Sequence, residues 1–240
     1  MSANLPEFNR GAVRPVECLR GGWNLIKDQY WLFLGMAFVA LFIGSAVPLG
    51  ILLGPMMCGL YMAFFRRQRG EPVTFELLFK GFDFFGDSLV ATLVQVVPMF
   101  LVVVPTYIIS VAYLTISMNQ PGRRGQPPDM FPFIVFFIVI FVVIMTVSLI
   151  IHMFFAFTYP LIVDRRLSGI NAVKTSIKAA AANLGGVLGL ALLTMLLGIA
   201  GVLLCYVGAI FVLPINFAAW SIAYRQVFSA QDVPPAPPVF

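Results

Sequence analysis

The chain contains 240 residues, of which 60% are hydrophobic and 10% are charged, and it carries a formal charge of +5. Charged residues make up about a quarter of an ordinary soluble domain, so this composition excludes that class and predicts an integral membrane protein. A disordered chain would need low hydrophobicity and high net charge. A disulfide-stabilised scaffold would need more than the three cysteines present.

Long stretches without charge are candidates for membrane-spanning helices, since a hydrocarbon core about 30 Å thick needs roughly 20 apolar residues. The first apolar stretch is long enough for two spans, and Pro48 with Gly50 near its middle predicts a turn. Pro98 and Pro105 interrupt the next stretch, but a division at Pro105 would leave a piece too short to cross, so we predict one kinked helix. The predicted spans are residues 30–47, 49–65, 88–117, 133–163, 184–204 and 207–224.

The positive charges predict the orientation of these spans. With the N-terminus in the cytoplasm, all but two of the 15 Lys and Arg residues lie on the inside, and the exceptions are Arg123 and Arg124 in the loop 119–132. Both termini are therefore predicted to be cytoplasmic. This bias also accounts for the net positive charge, and no nucleic-acid recognition motif is present, so no nucleic-acid partner is predicted.

Three cytoplasmic segments, each before a pair of spans, show the periodicity of amphipathic helices. Their apolar stripes are Val16, Leu19, Trp23 and Ile26; Phe75, Leu78, Phe79, Phe82 and Phe85; and Ile170, Val173, Ile177 and Ala181. Thr74 and Ser168 are predicted N-caps. We therefore predict an all-α integral membrane protein, with six transmembrane helices as three hairpins, each preceded by a cytoplasmic interfacial amphipathic helix.

The last of these three units aligns with the first at an offset of 159 residues. The offset places Asn183 on Asn24, Pro214 on Pro55 and Arg225 on Arg66 without gaps. The predicted architecture is a parallel repeat rather than the inverted repeat common in transporters. Residues 1–228 are predicted to form a single polytopic membrane domain, followed by a Pro-rich tail, 229–240.

Several short motifs resemble those of a widespread family of bacterial multi-pass inner-membrane proteins that has no assigned activity. The motifs are GGW at 21–23, RGEPV at 69–73 followed by Phe75 and Phe79, YPLIVD at 159–164 followed by Ser168 and Ala172, and CYVG at 205–208 followed by Pro214, Tyr224 and Arg225. The family is similar to the membrane domain of some glycerophosphodiester phosphodiesterases. The resemblance implies a bacterial cytoplasmic membrane location, and it supplies no catalytic residue. The long third and fourth spans and the loop between them depart from the family pattern.

The chain offers little for catalysis or cofactor binding. No Asp, Glu, Lys or Arg lies within a predicted span, which disfavours proton-coupled or ion-coupled transport. His152 is the only histidine, and Cys18, Cys58 and Cys205 lie on different elements, so neither a metal site nor a cofactor is predicted. We see no nucleophile with a matching base, and no enzymatic activity is predicted.

Two groups of residues are candidates for packing and lipid contact. Gly50 with Gly54, and Gly185 with Gly189, are spaced four apart, which lets helices approach closely, within the monomer or between copies. Basic clusters lie at the predicted cytoplasmic surface, where anionic head groups would attract them. Their members are Arg66, Arg67, Arg69, Arg165 and Arg166.

The third and fourth spans are longer than a bilayer core requires, so they either tilt steeply or extend beyond the outer face. Residues 109–137, around their connection, are rich in Ile, Val and Phe. If this extended hairpin 109–137 stands in water, it needs a cover, which would be a partner protein or a second copy.

These observations predict a non-enzymatic integral membrane protein, either a structural or assembly subunit of a membrane complex or a lipid-interacting scaffold, whose first partner is the bilayer. The alternative is a transporter of a small uncharged or amphipathic substrate. In that case the weakly polar path would be lined by Gln95, Tyr107, His152 and Asn216.

Overall fold

The computed structural model describes residues 6–47, 50–118, 130–203 and 207–229. These residues form helices and connecting turns, with no strand among them, so the predicted all-α class is confirmed for this part of the chain. The α-helices are α1 Pro15–Ile26, α2 Tyr30–Ala46, α3 Leu53–Gln68, α4 Phe85–Met118, α5 Met130–Phe155, α6 Thr158–Arg165, α7 Gly169–Ala182, α8 Leu184–Leu203 and α9 Val207–Val227. A 3-10 helix, Phe75–Phe84, precedes α4, and we call it the 3-10 segment.

Four helical stretches of the described residues are long and apolar enough to cross a membrane. They are Pro15–Ala46, Phe75–Ser117, Phe133–Arg165 and Leu184–Leu203. The predicted turns at Pro48 and Cys205, most of the loop 119–132 and the tail from residue 230 lie outside the described residues.

The chain divides into two compact units. The first comprises Met1–Leu93 and Met153–Phe240, and the second comprises Val94–His152. The core of the first unit is formed by α3, α6 and α9, whose buried side chains include Phe64, Leu161 and Tyr224. The candidate site described below lies within this unit.

The described residues of the second unit are the C-terminal part of α4 and most of α5. Tyr113 on α4 stacks on Phe136 on α5, with ring centroids 4.3 Å apart. Pro98 and Pro105 both lie inside α4, which continues past them as one helix, as the sequence predicts. Thr106 Oγ1 donates a hydrogen bond to the Val102 carbonyl at 2.6 Å, so this hydroxyl is satisfied within its own helix.

The predicted fourth span, 133–163, falls within one apolar stretch, but its helix is interrupted at residues 156–157, between α5 and α6. Pro160 explains the position of the break, because its ring clashes with the carbonyl of Ala156, four residues earlier, and it has no N–H to donate. The predicted span therefore comprises two helices, α5 and α6, rather than one continuous helix.

The amphipathic segments turn their small residues inward and their large apolar residues outward. The buried residues of α1 are Cys18, Gly22 and Ile26, whereas Val16 and Trp23 from the predicted stripe are exposed. Helices in a bilayer gain nothing from hiding large apolar side chains from lipid, and they pack through small residues instead.

The other two segments also expose most of their predicted stripes. In the 3-10 segment, Leu77, Leu78 and Gly81 are buried, while Phe75, Phe79 and Phe82 are exposed, as is Phe85 at the start of α4. In α7 the buried residues include Ala172, Val173, Ser176, Ala179 and Ala180, whereas Ile170 and Ile177 are exposed. Of the predicted stripes, Ile26, Leu78 and Val173 are the members that lie buried in the protein.

Candidate functional site

Three contacts hold the amphipathic segments against the central helices, and we call them the three docking contacts. In the first, Gly22 of α1 lies against the backbone of α9. A Cβ atom added to Gly22 would stand 2.7 Å from the Ala219 nitrogen and 3.0 Å from the Ala218 carbonyl carbon. Only glycine permits this approach, so α1 is fixed on α9 by backbone contact.

In the second docking contact, the 3-10 segment crosses α3. A Cβ added to Gly81 would collide with the Pro55 carbonyl oxygen and the Gly59 nitrogen, and one added to Gly59 would collide with the Leu78 carbonyl oxygen. Each glycine therefore lies directly against the backbone of the opposing element. Gly59 and Ala218 are 159 residues apart, which is the offset that aligns the first and last units in the sequence.

In the third docking contact, Ser176 of α7 fills the break between α5 and α6. The Phe157 N–H donates to Ser176 Oγ at 3.1 Å, and Ser176 Oγ donates to the Phe154 carbonyl at 2.7 Å. Ser176 is fully buried. The side chain thus satisfies two backbone groups that the interrupted helix would otherwise leave unpaired.

The three central helices meet through aromatic rings. Phe65 of α3 and Tyr224 of α9 have ring centroids 5.3 Å apart, and Phe157, just before α6, lies 6.5 Å from Tyr224. Phe228 follows at 5.0 Å from Tyr224. All four side chains are buried, so this end of the core is filled with aromatic side chains.

Next to these rings lies an ion-paired group that we call the Asp164 cluster: Gln68, Asp164, Arg165, Tyr224 and Arg225. Arg225 reaches Asp164 by two bonds, Nη2 to Oδ1 at 2.8 Å and Nη1 to Oδ2 at 3.2 Å. Tyr224 donates its hydroxyl to Oδ2 at 2.7 Å, and Arg165 Nε lies 3.5 Å from the same oxygen.

The cluster also reaches α3. Arg225 Nε donates to Gln68 Oε1 at 3.1 Å, and its guanidinium lies over the Phe65 ring at 4.4 Å from the centroid. The Asp164 side chain is 3% exposed and that of Arg225 is 18% exposed. Because every oxygen of the carboxylate accepts from a cationic or hydroxyl donor, the geometry is typical of a clamp between helices rather than of an acid or base awaiting a substrate.

The segment before α1 is hydrogen-bonded to Asn183 at the end of α7 and to Gln226 of α9. Asn183 Oδ1 accepts from the Ala12 N–H at 2.8 Å, and its Nδ2 donates to the Asn9 carbonyl at 2.9 Å. Gln226 Oε1 accepts from the Arg14 N–H at 2.9 Å. Sequence reasoning used Asn183 only for the repeat alignment and missed this role, because a polar residue between two helices resembles an ordinary turn.

Within the described part of the chain, four of the five predicted lipid-binding arginines have protein partners. Arg67 donates to Asp28 at 3.0 Å, and Arg66 lies 3.7 Å from Glu71. Arg69 donates a hydrogen bond to Glu71. Arg165 lies near Asp164 and donates to the Ser229 carbonyl.

Two of these arginines differ in their access to head groups. The Arg165 side chain is 8% exposed, so the structure places it inside the protein, whereas Arg166 is exposed in a left-handed backbone conformation. Arg69 hydrogen-bonds Glu71 and thereby lowers the pKa of that carboxyl group.

Of the four predicted packing glycines, Gly54 and Gly189 lie in close contacts with another element, whereas Gly50 and Gly185 do not. Gly54 lies against α4, where an added Cβ would stand 2.7 Å from Thr92 Oγ1, and Gly189 lies 2.8 Å from Pro15 by the same measure. Gly50 is in the turn before α3 with φ +63°, a backbone conformation that favours glycine. An added Cβ at Gly185 would meet no described atom within 4 Å, so this glycine makes no close helix contact in the described part of the chain.

The four residues of the predicted polar path do not share one unit. Gln95, Tyr107 and His152 belong to the second unit and Asn216 to the first. The side chain of Tyr107 is 68% exposed. Within the second unit a shallow groove of about 520 Å³ runs along α5 from Phe133 to Ile144, and its lining is almost entirely apolar.

No protein-family model, curated protein or solved structure matches this chain. Among the described residues, no three His, Cys, Asp or Glu side chains come together in a way that could hold a metal ion.

Proposed function

We propose that this chain is a non-enzymatic scaffold of a bacterial cytoplasmic membrane, an assembly subunit in contact with lipid. The observation that carries the proposal is the closed packing of the first unit. Its three docking contacts place backbone against backbone or, at Ser176, fill a helix break, and aromatic side chains occupy the end of its core. A protein built this way offers surfaces rather than an internal passage.

The proposal includes six crossings arranged as three hairpins, with both termini in the cytoplasm. Four helical stretches meet the length and hydropathy needed for a span, and we assign the other two crossings of the proposal to α3 and α9. The distribution of Lys and Arg supports this orientation, since Arg123 and Arg124 alone fall on the outer side. The resemblance to the multi-pass family stays a prediction.

Orientation is tested by cysteine labelling in a chain whose Cys18, Cys58 and Cys205 are replaced by alanine. A cysteine introduced at Gly122 should react with a membrane-impermeant maleimide in intact spheroplasts. A cysteine at Lys80 should react only after permeabilisation. The reverse pattern, or equal labelling at both positions, contradicts the proposed topology.

The scaffold role is tested on the full-length chain. Extracted from native membranes in polymer-bounded lipid discs, the chain should migrate as an assembly larger than its own mass of 26.4 kDa plus the disc. Reconstituted in phosphatidylcholine vesicles, it should leave the flux of small uncharged solutes at the protein-free level. A monomeric disc contradicts the scaffold role, and a protein-dependent flux would instead favour the transporter.

A further inference from the structure

The outward face of α7 combines apolar side chains with lysines. Ile170 is 53% exposed and Ile177 is 38% exposed, and Lys174 and Lys178 are exposed on the same side. The spacing of three or four residues places all of them on one face of the helix. The opposite face is buried in the first unit through Ser176 and its neighbouring alanines.

The cations of this face have no acidic partner on their own helix. α7 contains no acidic residue, and no described carboxylate forms an ion pair with Lys174, Lys178 or Arg166, the exposed residue just before the helix. Asp87 of α4, which lies at the start of α7, accepts a hydrogen bond from the Gly169 N–H. The 3-10 segment differs in composition, because it carries one lysine, Lys80, and two exposed carboxylates, Glu76 and Asp83. In α1, Arg14 pairs with Glu17 at 3.1 Å. α7 is therefore the basic member of the three amphipathic segments.

The connection to α8 sets the depth of this face. One residue, Asn183, separates Ala182 at the end of α7 from Leu184, the exposed first residue of a candidate membrane span. Lys178 lies six residues before α8 begins, about 9 Å along a helix that rises 1.5 Å per residue. If α8 crosses the bilayer, the outward face of α7 therefore lies close to the head-group region at the start of that span.

We propose that the outward face of α7, consisting of Ile170, Lys174, Ile177 and Lys178 together with Arg166, binds the head groups of anionic phospholipids. The isoleucines insert at the boundary of the acyl chains, and the cations contact the phosphates. This proposal rests on the membrane location proposed above. The occupant is lipid rather than free phosphate, because half of the face is apolar.

The test is native mass spectrometry of the full-length chain, purified in nonionic detergent and titrated with phosphatidylglycerol or phosphatidylcholine. The wild type should retain phosphatidylglycerol in preference to phosphatidylcholine. The variant K174Q/K178Q should lose about 25-fold in apparent affinity for phosphatidylglycerol, about 5-fold for each lysine near an anionic surface. The charge-preserving variant K174R/K178R should retain the preference, and K80Q, on the 3-10 segment, should match the wild type.

Equal retention of the two lipids by the wild type overturns the proposal. So does an equal loss for K80Q and K174Q/K178Q, or full displacement of phosphatidylglycerol by millimolar inorganic phosphate. Carbonate washing of native membranes separates this failure from failure of the proposed function. If the wild type leaves the membrane pellet, the proposed membrane role fails, whereas a retained chain without a lipid preference refutes only the α7 surface.

Discussion

Asp164 and Arg225 form a two-point ion pair between the ends of α6 and α9, with N–O distances of 2.8 and 3.2 Å. In the sequence, each of the two residues directly follows a predicted span, and this position assigns both only to the cytoplasmic side. In the structure, the carboxylate is almost fully covered, and Tyr224 and Arg165 complete its contacts. A buried charge without a counter-ion strongly destabilises a protein, so Asp164 and its partners are energetically coupled.

Replacing Asp164 with asparagine should destabilise the protein strongly. The change leaves Arg225 and Arg165 without a counter-ion in a mostly buried site, and breaking a buried pair costs about 3–5 kcal/mol. Chemical unfolding in detergent, followed by circular dichroism, measures the change in unfolding free energy. The matched control is D28N, because Asp28 pairs with Arg67 but is 63% exposed, and a surface pair contributes at most about 1 kcal/mol. Equal losses for the two variants would contradict a clamp role for the cluster.

Alanine at Gly59 or Gly81 should disrupt the second docking contact. Each added methyl group meets backbone atoms of the opposing element, which cannot rotate away. Overpacking of this kind costs about 1–3 kcal/mol. Thermal unfolding of G59A and G81A in detergent measures it. G86A is the control, since an added Cβ there meets no described atom within 4 Å, and it should be neutral or slightly stabilising. An unfolding temperature of G59A equal to that of the wild type would contradict the close backbone contact between α3 and the 3-10 segment.

The helix boundaries were largely predictable from the sequence, whereas the inward faces were not. The predicted span 30–47 corresponds to Tyr30–Ala46, and 184–204 to Leu184–Leu203, because an uncharged stretch between charged residues defines a helix of membrane length. The stripe of α1, which includes Val16 and Trp23, is predicted to face the membrane interface, and both side chains are exposed. A bilayer solvates such groups, so the buried contact passes to Gly22.

The Asp164 cluster could not be predicted for a different reason. Its members come from three helices separated by more than 50 residues, and a single sequence contains no signal that pairs Gln68 with Arg225 or Arg225 with Asp164. The interruption at residues 156–157 could have been predicted from the sequence, because Pro160 lies near the end of the predicted fourth span. Ser176, which fills the interruption, could not have been predicted, because its position there depends on the packing of α7.

Replacing Ser176 with alanine should destabilise the interruption between α5 and α6. The variant removes the acceptor for the Phe157 N–H and the donor to the Phe154 carbonyl, both in a buried position. An unsatisfied buried backbone group costs about 1–3 kcal/mol. Hydrogen exchange followed by mass spectrometry should show faster exchange in peptides covering residues 150–160. Cysteine at the same position retains a weak donor and acceptor and should fall between alanine and the wild type. Unchanged exchange in the alanine variant would mean that another group satisfies the break.

The start of α7 yields the last prediction. Ser168 occupies the N-cap position predicted for it, but its side chain makes no capping bond. The Gly169 N–H instead donates to Oδ1 of Asp87, in the first turn of α4, at 3.1 Å. A carboxylate near a helix N-terminus also interacts favourably with the helix dipole. The cap of α7 therefore comes from a different helix.

We expect D87A to lower the unfolding free energy by about 0.5–2 kcal/mol, the usual cost of losing a cap. S168A should have a smaller effect, because no capping bond is removed. The double variant separates the two roles, since an additive result means that the residues act independently. Unfolding in detergent at low and high salt adds a second readout, as screening should weaken the charge contribution of Asp87 and leave the effect of S168A unchanged. A larger loss for S168A than for D87A would return the cap to the residue that the sequence pattern indicated.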